Sequence, residues 1–316
     1  MTITRVVRYN KMKRYACIDI GGTAIKYGII GGDGHIFSRR EMQTEAWRGG
    51  QSILDRVLSI VKECRRTGEI SGVCISTAGV VDIEKGEIIH SAALIPDYRG
   101  ICFKKAVWDR FRLPCEVEND VNCAGLAETV SGSARGSSSV FMLTVGTGIG
   151  GCFVLDKKVF RGAAGSACEV GYMHMRGSDF QTLGAASILT KKVTERKGAS
   201  FREWNGFRIF QEAEKGDAVC IQAIDEMVDV LGAGIANICY VLNPQTVVLG
   251  GGVMTQKEYL GEKIQAAVER WLIPSVAQHT SLCFAQHGNA AGMLGAFYHF
   301  ISMTKKGENE KNHDRD

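Results

Sequence analysis

The sequence predicts an α/β fold of two lobes, and three observations carry that expectation. At 316 residues the chain exceeds what one core of ordinary size accommodates. Short β-prone runs alternate with amphipathic stretches along its length. One local plan, a strand, a Gly/Thr turn and a second strand, occurs twice: in CIDIGGTAIKYGII (Cys17 to Ile30) and in LTVGTGIGGCFVL (Leu143 to Leu155).

The elements follow in order. Tyr15 to Ile20 is a β-prone run, and after GGT the stretch AIKYGIIGGDGHIF alternates and breaks at Gly-Gly-Asp-Gly, a hairpin signal. Between Ser52 and Thr67, Ile53, Leu54, Val57, Leu58, Ile60 and Val61 recur at helical spacing. GVCIS reads as a strand, and TAGVVDIEKGEIIH as a loop and a short hairpin. A helix near Phe103 to Phe111, a strand at Cys115 to Glu118 and a helix from about Val121 to Val130 come next. The strand at Val140 leads into the second glycine turn. CFVLDKKVF after it is another strand, turning at Asp156-Lys157. Beyond a glycine-broken loop, helices are expected over Ala185 to Lys197 and Asp217 to Leu242, the latter ended by Pro244. TVVLGGGV is a strand running into a glycine turn. One more helix, a strand at Leu282 to Ala285 and a final helix near Gly292 to Met303 complete the pattern. The basic start TRVVRYNKMKR reads as a ragged terminus, and the charged tail TKKGENEKNHDRD as disordered. No Pro/Ser-rich linker divides the chain, so the lobes are expected to meet across a cleft.

Bulk properties exclude several classes. A net charge of +4 is too slight to argue for nucleic acid. No apolar run approaches the ~18 residues that a membrane span requires. The 11 cysteines are odd in number, lie mostly in apolar segments, and contain no C-x-x-C or C-x-C spacing. With no secretory signal ahead of them, they read as reduced thiols of a cytoplasmic protein.

Gly146, Gly148 and Gly151 spell G-x-G-x-x-G after a strand. A dinucleotide fingerprint places a helix directly after those glycines so that the pyrophosphate meets its N-terminus. A strand follows here, and a nicotinamide-dependent oxidoreductase loses its mechanism. A hairpin with a Gly/Thr turn instead offers backbone N–H groups and hydroxyls to phosphate, and two matched hairpins suit a nucleotide better than two merely tight turns. Asp19, beside GGT, is placed to orient a hydrated Mg²⁺. Lys26 reads equally as a phosphate contact or a solvated face residue. Gly250, Gly251 and Gly252 end a strand, where side-chain-free backbone lets adenine or ribose approach.

Five segments occur in order over nearly the whole chain: DIGGTAIK from Asp19, VENDVNCAGLAE from Val117 to Glu128, LTVGTGIGG, GSACEVG, and LGAGIANICYVLNPQTVVLGGGV. In these the sequence resembles the ROK family of sugar kinases. The resemblance implies a two-lobed actin-like ATPase (ribonuclease H-like) fold with an interlobe cleft. One lobe would hold residues 1–119 plus 297–316, the terminal helix returning to it, and the other residues 120–296. It implies ATP and Mg²⁺ as cofactors, with Asp19 holding the metal through water. Phosphate contacts would come from Gly21, Gly22, Thr23, Lys26, Gly146, Thr147, Gly148 and Gly150, and Gly250 to Gly252 would face the adenosine. Asp120 would be the general base toward a primary hydroxyl; by itself the residue reads as a helix N-cap. Gly79, Asn119, Asp120 and Glu169 would contact the sugar, the lobes would close over it, and a homodimer is implied.

The sequence also departs from the family. Members commonly carry E-I-G-H and then C-x-C-G-x-x-G-C-x-E, a zinc site. Here the text is EVGYMHMRGSDFQTLGAASIL: Tyr172 replaces the histidine and no cysteine follows until Cys220. His174 and Cys168 alone cannot complete a tetrahedral site, so no structural zinc is expected and His174 reads as a packed or surface residue. Tyr172 would offer the sugar a hydroxyl or a stacking face, Gln181 would stand in for the motif's last glutamate, and Ala93 stands where the family often has asparagine. Zinc-free members phosphorylate N-acetylmannosamine, β-glucosides or glucose, which implies a hexose or N-acetylhexosamine substrate. A catalytically silent sugar sensor is the alternative; it predicts eroded phosphate loops or a lost Asp120, and neither is seen. A repressor would need a helix-turn-helix ahead of the first strand, where only about a dozen residues stand.

Overall fold

The structure is a computed structural model that describes residues 13–91, 95–200 and 203–313, with side chains described to residue 304. Most of the basic start, and Ala93, lie outside the described residues. The chain divides into two compact units. The first is Met1–Ala127 with Ala163–Gly165 and Asn289–Asp316, and the second is Glu128–Gly162 with Ser166–Gly288.

The first unit opens with β1 (Arg14–Ile20), β2 (Ala24–Gly31) and β3 (Ile36–Gln43), an antiparallel meander. After α1 (Gly49–Arg66), β4 (Gly72–Thr77) lies parallel to β1. A small hairpin of β5 (Val80–Asp82) and β6 (Glu87–His90) and then α2 (Phe103–Phe111) lead to β7 (Cys115–Asn119), parallel to β4, and to α3 (Asp120–Ser131). The sheet order is β3-β2-β1-β4-β7. Alternation along β1 sends Ile18 and Ile20 into one core with Val57, Val61 and Phe103, while Cys17 joins Cys74, Phe297 and Phe300 in another.

The second unit repeats the plan with β8 (Ser139–Val145), β9 (Ile149–Leu155) and β10 (Lys158–Val159) antiparallel. A hairpin of β11 (His174–Met175) and β12 (Ser178–Asp179) precedes α4 (Phe180–Gly184), α5 (Ala186–Lys197), α6 (Gly206–Glu214) and α7 (Ala218–Leu242). Next, β13 (Thr246–Gly250) lies parallel to β8. It is followed by α8 (Lys257–Glu269), α9 (Pro274–Ala277) and β14 (Ser281–Phe284), which lies parallel to β13. The order β10-β9-β8-β13-β14 matches that of the first sheet. Helix α10 (Ala291–His313) then packs against β1, β4 and β7 of the first unit. Two open sheets, each with three antiparallel strands continued by two parallel ones, form the ribonuclease H-like arrangement of actin-like ATPases that the resemblance implies.

Three expectations need correction. The helix expected from Ala185 begins earlier as α4, and Ala185, extended at ψ 154°, separates it from α5. Helix α6 was not anticipated between the two helices expected there; its start is Asn205-Gly206, a dipeptide common in turns, and Asn205 caps the helix, its side chain accepting from Arg208 N. The charged tail from Thr304 was expected to be disordered, but α10 runs on to His313, since extending a formed helix avoids the cost of nucleating one; residues 314–316 lie outside the described residues. The glycine turn after β8 is followed by strand β9, as read, and Asp156 and Lys157 turn with φ of 48° and 62°. None of the 11 cysteines, all of them among the described residues, forms a disulfide. Among the described residues no helix is long and apolar enough to cross a membrane.

Candidate active site

In the first unit the β1–β2 turn holds Gly21, Gly22 and Thr23, the last two exposed. Thr44 clamps it from behind: its hydroxyl donates to Gly21 O at 2.6 Å and its N–H to Thr23 O at 2.9 Å. Asp19 pairs across the sheet with Lys26 of β2 on one side and Ser76 of β4 on the other. The Ser76 hydroxyl donates to Asp19 Oδ1 at 2.7 Å. Burial raises the Asp19 pKa, while the Ser76 hydrogen bond and the positive charges of Lys26 and Arg39 oppose the rise.

Asp120 opens α3 where β7 ends, and Asn119 performs the capping. Asn119 Oδ1 accepts from Val121 N at 2.9 Å and Asn122 N at 3.1 Å. Its Nδ2 donates to Asp120 Oδ1 and to the carbonyl of Gly79, both at 3.0 Å. Beneath them Glu118 is buried, and its Oε1 accepts from Asn119 N at 2.7 Å and Asn122 Nδ2 at 3.0 Å. Asp120 is pushed up to about 7, first by burial and then by the negative charge of Asp19; hydrogen bonds from Val121 N and Asn119 act the other way. The first unit therefore gathers Asp19, Lys26, Gly79, Asn119 and Asp120.

The second unit gathers the rest. The turn after β8 closes with Gly146 N donating to Gly148 O at 2.9 Å. The helix missing directly after these glycines is supplied from forty residues on: at the start of α5, Ala186 N donates to Gly146 O at 3.0 Å and the Ser187 hydroxyl to Thr147 O at 2.6 Å. Gln181 fits under the turn, its side-chain oxygen 2.7 Å from where a Cβ on Gly148 would stand. A cavity of about 350 Å³ opens beside Gly146 and Thr147, lined further by Thr190, Phe207, Gly252 and Gln256 among others. Gly250 ends β13. Gly251, at φ 96°, packs so closely on Val145 that a Cβ would overlap its carbonyl, so the chain can leave β13 into the cavity wall only through glycine. Glu169 and Tyr172 flank a short 3-10 turn, both exposed and both in the second unit, so neither shares a unit with Asn119.

Where the zinc motif would stand is the β11–β12 hairpin, turning at Arg176 and Gly177 with φ of 51° and 78°. Arg176 ties it to α7 through Asp229 at 2.7 Å and lies over Trp271. His174 is exposed. Among the described residues no three His, Cys, Asp or Glu side chains converge on a metal position. For Mg²⁺ the donor chemistry fits: a single carboxyl group, Asp19, held in place by the Ser76 hydroxyl, suits a cation that keeps most of its water and takes one or two carboxylates.

Sequence reasoning missed Thr44, Ser76, Ser187, Thr190, Phe207 and Gln256. Only strand register brings Ser76 to Asp19, and α6, which carries Phe207, was hidden by its turn-like start.

A family model described as ROK family matches residues 15–302. The chain belongs to the ROK family. This ROK chain is 43% identical to an uncharacterized protein of Clostridium perfringens over 92% of its own length and 98% of that protein's. It is 31% identical to a beta-glucoside kinase of Klebsiella pneumoniae over 94% and 99% of the two chains. Among solved structures it is similar to a ROK family glucokinase from Streptomyces griseus in complex with glucose and AMPPNP, with TM-score 0.78, 27% identity, and 90% and 97% of the chains covered.

Proposed function

We propose that the protein is an ATP-dependent sugar kinase that phosphorylates a primary hydroxyl, the 6-hydroxyl, of a hexose or N-acetylhexosamine such as glucose, N-acetylmannosamine or a β-glucoside. The observation that carries this reading is Asp120: a carboxyl at the head of α3, oriented by Asn119 and poised near neutrality at about 7. Such a group takes the proton of a sugar hydroxyl as its oxygen bonds to the γ-phosphorus. The bond from that phosphorus to the β,γ-bridging oxygen breaks, and ADP leaves with the electron pair. Asn119, Gly79, Glu169 and Tyr172 are the proposed sugar contacts. The turns at Gly21 to Thr23 and Gly146 to Gly150, with Lys26, are the proposed phosphate contacts, and the cavity beside Gly252 is the nucleoside pocket. Asp19 orients hydrated Mg²⁺, which when bound neutralises phosphate charge.

The test is ADP release from Mg-ATP with glucose, N-acetylmannosamine, N-acetylglucosamine, mannose, fructose and cellobiose, with Asp120→Asn in parallel. Sugar-dependent turnover lowered by about 10²-fold or more in the variant is expected. ATP binding with no turnover on any sugar would count against the kinase and for a sugar sensor.

A further inference from the structure

We infer that the segment from Asn289 to Gly292, at the start of α10, is a positioning element for Asp19 and Lys26: Gly292 seats the carboxylate and Asn289 aims the ammonium. The inference rests on the kinase reading for what Asp19 and Lys26 do, and on the structure for how they are held.

Asp19 shares its face of β1 with Cys17, the face that α10 covers. At Gly292 the fit is complete. A Cβ built there would overlap Cγ and both carboxyl oxygens of Asp19, and these are its three nearest atoms. The absent side chain at 292 is therefore the space that the Asp19 carboxyl fills. Any larger residue would drive the carboxyl off Ser76, whose hydroxyl holds it at 2.7 Å. Three residues earlier, Asn289 Oδ1 accepts from Lys26 Nζ at 3.0 Å. Lys26 is the register partner of Asp19 on β2, so one short segment touches both charged groups of the hairpin.

The residue types suit the task. A lysine ammonium rides on a flexible four-carbon stem and needs an external contact to hold one direction. Asn289 supplies that contact as a neutral amide, which orients the ammonium and leaves its charge available for a phosphate oxygen. A carboxylate there would neutralise it and repel the same phosphate.

Two measurements test this. In the first, Gly292→Ala is made in the wild-type and Asp19→Ala backgrounds and melting temperatures are compared. A fall of roughly 3 °C in the wild type, at least halved in the Asp19→Ala background, is expected. Equal falls in both would place the collision elsewhere and overturn the Gly292 assignment. In the second, calorimetry measures ADP binding with and without Mg²⁺. Gly292→Ala should reduce the tightening by Mg²⁺ about tenfold and leave metal-free ADP binding unchanged. Asn289→Ala should weaken ADP about fivefold in both conditions, and Asn289→Asp more than that. Unchanged ADP binding in both Asn289 variants would overturn that residue's role. Asp19→Asn, run alongside, separates the failures. If it keeps the Mg²⁺ effect, the metal role of Asp19 falls and the melting cycle alone decides the contact. If it removes the effect while Gly292→Ala retains it, the positioning role falls alone.

Discussion

Asp19 and Asp120 resist ionisation for the same leading reason, burial, but the second also feels the first. That coupling has opposite consequences for activity and stability. As the proposed base, Asp120 would work only when ionised, so kcat/KM should rise with pH through an apparent pKa near 7, a limb that Asp120→Asn removes. For folding the sign reverses. An acid whose folded pKa is raised above its unfolded value of roughly 4 favours folding fully below that value, and the contribution is lost as pH rises through about 7. The melting temperature of Asp120→Asn should therefore match the wild type near pH 4 and exceed it near pH 8. A difference that shrinks with rising pH would show that the carboxyl is not held as described. Asp120 was legible in the sequence because it stands inside a contiguous motif. Ser76, 57 residues from Asp19, and Gly292 were not, because strand register and the return of α10 bring them in, and neither leaves a local mark.

Among the elements, the junction of β7 with α3 carries the most information. Asn119 caps the helix through its side-chain oxygen and steadies Asp120 and the Gly79 carbonyl through its nitrogen, so two substitutions separate the tasks. Asn119→Ala should lose the cap, worth ~1 kcal/mol, together with activity. Asn119→Asp should keep the cap, lose both donations, and move the kcat/KM limb to higher pH by placing another negative charge beside Asp120. A limb that stays in place would mean that the Asn119 nitrogen does not steady Asp120. Strands and long helices were readable from their periods, because each buries one face against a core. Helix α6 was not: it is short, only Ile209, Phe210 and Ala213 of it are buried, and its cap resembles a turn. The end of α10 escaped for a different reason, since a charged segment carries no burial signal even where it continues a formed helix.

At the scale of the molecule, each unit has its own sheet and core, and the cavity proposed for the nucleoside is built entirely within the second. Adding ADP should therefore slow amide exchange around residues 146–148, 186–190, 206–210 and 252–256. Protection that spares all four stretches would remove the cavity from the nucleotide site. The doubling of the fold was legible from two matched hairpins, and what distinguishes the copies emerges only from register. In the first sheet, Asp19 stands between Lys26 and Ser76. At the corresponding place in the second, Thr144 stands between Gly150 and Gly250. If the halves descend from one ancestral segment, the duplication left them free to differ here: one copy carries two charged groups at this place, and the other a threonine between two glycines. A homodimer of two identical halves could do neither without doing it twice.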